Sequence, residues 1–159
     1  MNSSIENPYS SDPERAFIWE MCVRRDLEAF LAADWSFCSN DFISEGFSGW
    51  NAHFKSDPQE WQLGFPNLES YRDVWIHDAQ GFSEENWGPN VREQLYGALR
   101  LDRIEIGADA ILVHKVFDGN LLMSDGTSER LHWQSLFNLR KEDGRWKQAG
   151  FVGYLPIAT

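Results

Sequence analysis

Cysteine is scarce in this chain: Cys22 and Cys38 are the only two in 159 residues. Two cysteines cannot build a framework of several bridges, and they read as small buried hydrophobes of a reducing compartment. Positive charge is scarce too, with 14 Lys and Arg against 25 Asp and Glu and a net charge of −11. That deficit argues against nucleic acid and against anionic membranes, whose phosphates reward Lys and Arg. Arg24-Arg25 has acids near it on both sides, and no basic stripe extends it. No segment approaches the roughly 20 apolar residues of a membrane-crossing helix. Residues 1–11 lack the apolar run of a signal peptide, so the cytoplasm is the expected compartment. The Asn2-Ser3-Ser4 match to a glycosylation acceptor then carries no weight. The four His are scattered, with no HxxxH or CxxC spacing, so neither a metal nor a cofactor is expected. Asp118, Asn120 and Glu129 mimic parts of a calcium loop, but Leu122 and Met123 occupy positions where a ligand and a glycine are required. There is no Gly-rich phosphate loop, nucleotide fingerprint or nucleophile elbow.

Aromatic residues, by contrast, are abundant: eight Trp, eleven Phe and four Tyr. Rings in such number belong in a core, along a cavity or under an interface. The length suits one domain, residues 12–159, behind a loose N-terminal arm, residues 1–11. Asp12-Pro13 is a helix start, a capping side chain with proline at the first helical position. Trp19, Val23, Leu27, Phe30 and Leu31 then recur at helical spacing, which predicts a long amphipathic helix ending near Ala33-Asp34. Asp26 falls on its apolar side, either as a boundary residue reaching water or as a carboxylate in a cavity. Residues 35–42 read as one or two short helical turns. Residues 44–66 are broken by Gly and Pro, with room for a short strand, yet carry Phe47, Trp50, Phe54, Trp61 and Phe65. They are expected to fold back as a lid or wall. Asn67 caps a helix with the stripe Leu68, Tyr71, Val74 and Trp75, and residues 81–90 read as loop.

Farther on the period changes to two. Strands are predicted over residues 99–106, 110–117, 131–139 and 145–154, with turns at Asp125-Gly126 and Asp143-Gly144. Helices followed by a meander imply an α+β domain. The order of parts then resembles a known family. A first helix ends in Leu31-Ala32-Ala33-Asp34-Trp35, a short turn ends in Asn40-Asp41-Phe42, a second helix follows, and the last strands meet at Lys141-Glu142-Asp143-Gly144-Arg145-Trp146-Lys147. This is similar to the nuclear-transport-factor-2-like (NTF2-like) superfamily, which includes ketosteroid isomerase, SnoaL-type polyketide cyclases and scytalone dehydratase. The resemblance implies a cone: helices against a curved antiparallel sheet, a pocket at the open end, and often a homodimer through the sheet. It does not imply the isomerase reaction. The positions matching that enzyme's Tyr, general base and protonated Asp hold Asp26, Gly46 and Leu136, none of them the required residue; Glu45 stands beside Gly46.

The strand at 131–139 has two faces. If Leu136 faces the pocket, as the resemblance implies, then His132, Gln134 and Asn138 face it too, and Trp133, Phe137 and Leu139 form an apolar outer face suited to a dimer. In the opposite assignment the polar set faces water and the apolar set is core; alternation alone permits both. Under the first, Asp26 and His132 form a general acid–base pair for dehydration, hydration or proton abstraction beside a carbonyl. Trp35, Trp61, Tyr71 and Trp75 wall the pocket, with Gln134, Leu136 and Asn138 as its remaining lining. His114 reads as a structural histidine, and His53 and His77 as surface residues. The expected ligand is a small apolar or aromatic molecule, handled without a cofactor. The alternative is a non-catalytic binding or dimerising accessory protein.

Overall fold

The computed structural model describes residues 5–157. Asp12 caps the first helix, accepting a hydrogen bond from the Arg15 backbone N–H, and Pro13 occupies its first turn. That helix is not uniform. It runs as α1 (Pro13–Trp19), a π-helical stretch over Glu20–Arg25, and α2 (Asp26–Ala32). The wider π turn changes the angular step, so side chains after it do not follow a straight α-helical wheel. Met21, Cys22 and Val23 are all fully buried, and Asp26 opens α2. Ala33 closes the helix in the left-handed region at φ 51°.

The expected helix after Asn67 is present and longer than predicted: α3 spans Leu68–Ser83, opened by a reciprocal cap between Asn67 and Ser70. A further short helix, α4 (Val91–Ala98), stands where the sequence reading ran from loop directly into strand. Its apolar positions Val91, Leu95 and Ala98 are spaced for a helix, but eight residues ending at a strand leave too short a window to register.

The strands are β1 (Ser48–Asn51), β2 (Gln62–Phe65), β3 (Leu99–Ile106), β4 (Ile111–Leu122), β5 (Ser128–Glu142) and β6 (Arg145–Leu155). They form one curved, open sheet in the order β2-β1-β6-β5-β4-β3. The sheet is mixed rather than antiparallel, because β1 lies parallel to β6. No hairpin joins those two strands, so nothing local imposes an antiparallel pairing. The β5–β6 hairpin turns at Asp143 (φ 55°) and Gly144 (φ 77°), the two left-handed positions of a type I′ turn. Register shifts within β3, β5 and the β1–β2 pair mark irregularities that bend the strands.

Residues 5–11 are not loose. The Tyr9 hydroxyl donates to the Leu101 carbonyl, Asn7 donates to the Ala16 carbonyl and to Glu20, and Arg24 donates to the Ile5 carbonyl. The Asn2-Ser3-Ser4 match lies outside the described residues. Asp41, nearly fully buried, accepts two hydrogen bonds from Arg25 at 2.8 and 3.0 Å and another from Arg145. This clasp ties the π-helical stretch to the turn before β1 and to β6, and so holds the backbone next to Asp26. Among the described residues no helix is long and apolar enough to cross a membrane.

Candidate functional site

Between α2, α3 and the inner face of the sheet lies a cavity of about 300 Å³. Its walls are mainly rings and branched side chains, including Phe30, Phe65, Phe117, Trp133, Phe137 and Phe151. Val74 and Tyr154, both partly exposed, stand at its rim with Asp78. A second hollow, reaching Trp87 and Glu129, shares Phe30, Asp78, Phe82, Leu121 and Leu131 with the first.

Besides the exposed Asp78 at its rim, two charged groups line this apolar space. The Lys115 Nζ donates to Asp26 Oδ2 at 3.0 Å. The lysine side chain is only 4% exposed and the aspartate 21%. Asp26 is the sole hydrogen-bond acceptor for Lys115 among the described residues, although an ammonium carries three donors. Two π faces lie near it as well: Phe117 and Phe137 have ring centroids 5.5 and 5.3 Å from Nζ. Lys115 points inward because β4 alternates, with Ile111, Val113 and Lys115 on the buried face. The hydroxyl-bearing Ser135, also buried, is its cross-strand partner on β5 and lines the same cavity.

Tyr71 supplies a further polar group. Its ring lies within 5.2 to 6.2 Å of Trp35, Phe42, Phe47, Phe65 and Phe151. Burial in this cluster pushes its phenol well above the ordinary range, helped by the negative charge of Asp26. Tyr154 at the rim is raised by burial and then by Asp78. Burial likewise pushes the Cys22 thiol up to about 12, which leaves it unsuited to nucleophilic work.

The structure separates the residues expected to act together. Asp26 and Tyr71 line the cavity, as does Trp75. His132 does not: it is exposed on the outer face, with Nδ1 3.4 Å from Asp118 and 3.0 Å from Arg130. Gln134 donates to the Pro156 carbonyl, and Leu136 and Asn138 are exposed. The inward set on β5 is Leu131, Trp133, Ser135, Phe137 and Leu139, so the second of the two face assignments is the one adopted. The reason is burial: the odd-numbered set carries nearly all the apolar area, and turning it outward would expose it. Trp35 lies behind the cavity wall, stacked on Phe42 and edge-on to Trp75. Trp61 is away from the cavity, donating from Nε1 to the Lys55 carbonyl. Of the other histidines, His53 meets Gln62 and His77 is exposed, whereas His114 sits on the outer face opposite Leu136. No cluster of three or more potential metal ligands occurs among the described residues.

Lys115 was missed by the sequence reading. The signal for it was present: a lysine inside a strand, in phase with Ile111, Val113 and Phe117, is out of place on a buried face unless it has a partner there.

No family model matches the chain, and no curated protein matches it. Solved structures do. An NTF2-like protein of unknown function from Shewanella baltica superposes with a TM-score of 0.55 at 16% identity, over 92% of this chain and 96% of its own. One from Pseudomonas putida gives 0.58 at 13% identity, over 91% and 87%. One from Methylobacillus flagellatus gives 0.54 at 15% identity, over 99% of both chains. The chain therefore has the NTF2-like fold.

Proposed function

We propose that this protein binds a small, flat, mainly apolar molecule carrying an acceptor oxygen, and moves a proton on it without a cofactor. The observation behind the proposal is the Lys115–Asp26 pair facing an aromatic cavity, with two lysine donors unmatched. A carbonyl oxygen beside Nζ would accept one of those donors. Polarised in this way, the adjacent C–H becomes more acidic, and the Asp26 carboxylate is placed to take its proton. The electron pair passes to the oxygen, where the ammonium stabilises the enolate, and Asp26 returns the proton to carbon. Isomerase, cyclase and dehydratase chemistries share this step. A cavity near 300 Å³ suits one or two fused rings.

The test uses β-tetralone in heavy water. Binding is read by quenching of the cavity tryptophans, and α-hydrogen exchange by proton NMR. The wild type is expected to bind and exchange, Asp26→Asn to bind but lose exchange by about a hundredfold, and Lys115→Met to lose both. Binding without exchange would leave the accessory-protein reading in place; binding unaffected by Lys115→Met would remove the site assignment.

A second reading concerns assembly. Trp133, Phe137 and Leu139, expected as a dimer face, point inward: Phe137 and Leu139 lie in the core and Trp133 lines the cavity. Another apolar row crosses the outer face instead: Leu63, Trp50, Val152 and Leu136 are successive cross-strand partners, and three of the four are strongly exposed. We propose that two copies meet there, and that Leu136→Glu gives a monomer by light scattering where the wild type is a dimer. Two buried free thiols suit a reducing compartment, and we propose the cytoplasm.

A further inference from the structure

We infer that Lys115 is a carbonyl-capturing nucleophile, forming a Schiff base with a small aromatic aldehyde or ketone while Asp26 carries the proton between steps. Resting on the ligand cavity proposed above, it adds a covalent step to the same site. The chain has four lysines, Lys55, Lys115, Lys141 and Lys147, and among them Lys115 alone is buried. It lines the cavity directly. Its flanking rings form two stacks, Phe117 on Trp133 at 4.7 Å and Phe137 on Phe151 at 5.1 Å, which present flat faces to an aromatic guest.

Attack requires the free amine, and Asp26 Oδ2 at 3.0 Å is in direct reach of an ammonium proton. After that transfer the Nζ lone pair forms a bond to the carbonyl carbon, and the C=O π pair moves to oxygen. Asp26 returns its proton to that oxygen, giving a carbinolamine beside the Ser135 hydroxyl. One nitrogen-bound hydrogen then passes through Asp26 to the departing hydroxyl, which leaves as water. One ammonium and one carbonyl have become one protonated imine and one water, and the imine stays paired with the Asp26 carboxylate. Lysines set in apolar pockets are suited to this chemistry.

The experiment treats the intact protein with naphthaldehyde and cyanoborohydride, then maps the adduct by peptide mass spectrometry. Naphthaldehyde has no α-hydrogen, so trapping does not depend on proton abstraction from carbon. Binding of naphthalenemethanol, which has no carbonyl, is measured in parallel by tryptophan quenching. One adduct is expected at Lys115, with Lys55, Lys141 and Lys147 unlabelled. Lys115→Arg should abolish it, and Asp26→Asn should slow trapping roughly a hundredfold. If the alcohol binds but no adduct forms at Lys115, or label spreads over all four lysines, the covalent step is overturned and the cavity reading stands. If the alcohol does not bind either, both fall.

Discussion

Replacing Lys115 by Met isolates the most unusual interaction in the molecule. Met keeps an unbranched apolar stem against Phe117 and Phe137 and can make sulfur–ring contacts, so little packing is lost. What is lost is the cation opposite Asp26. Breaking a fully buried pair by removing one partner costs about 3–5 kcal/mol. The Asp26 side chain keeps 21% of its exposure, so its stranded carboxylate is partly hydrated and the cost falls to about 2–3 kcal/mol. In urea, with a slope of about 2 kcal/mol/M, the unfolding midpoint should drop by about 1–1.5 M. Adding Asp26→Leu removes the stranded charge and fills part of the cavity. The double variant should recover to wild-type stability or above it, as replaced buried pairs often do, while binding no carbonyl ligand. Urea titrations at neutral pH of the wild type, both single variants and the double variant close the cycle. If Lys115→Met lies within about 0.5 kcal/mol of wild type, the size of a neutral surface change, the pair behaves as a solvated surface pair and the reasoning from a buried ion pair is wrong. A double variant no more stable than Lys115→Met would refute it equally.

Three other outcomes are expected. Glu142 is pulled down to about 2 by the Ser44 hydroxyl, the Ser44 N–H and then Lys147. A lowered folded value means its stabilisation is present above the ordinary 4.5 and is lost as pH falls from there toward 2. Glu142→Gln should therefore lower Tm at neutral pH and flatten the acid limb in that window; a limb parallel to wild type would sink the assignment. Cys22 and Cys38 are buried, with thiols raised by burial, so a thiol reagent at pH near 8 should label neither until denaturant is added; rapid labelling of the native protein would contradict this. A Cβ at Gly119 would lie 2.7 Å from the Ala98 Cβ under α4. Gly119→Ala should cost about 1–3 kcal/mol in urea, with partial rescue by Ala98→Gly, and no rescue would place the strain elsewhere.

Much of this fold is written locally. Asp12-Pro13, the Asn67 cap and the Asp143-Gly144 turn depend on neighbouring backbone groups and fixed φ preferences, so each was legible and each is present. The alternation of β5 was legible for the same reason. It separated His132, Gln134, Leu136 and Asn138 from Trp133, Ser135, Phe137 and Leu139, but a two-residue period does not say which set faces in. Burial decides that, and burial is a property of the assembled sheet.

Composition and local periodicity specify an acidic, aromatic-rich α+β chain with helices first, strands last and Asp26 on an apolar helix side. What Asp26 meets depends on how the helix and sheet pack. The π-helical stretch alters the angular position of Asp26, and the β3–β4–β5 register turns Lys115 inward and His132 outward. Lys115 lies 89 residues after Asp26 in the chain. No local preference spans that distance; the pair forms because the helix and the sheet close on one core, and that closure leaves two charges sharing one cavity.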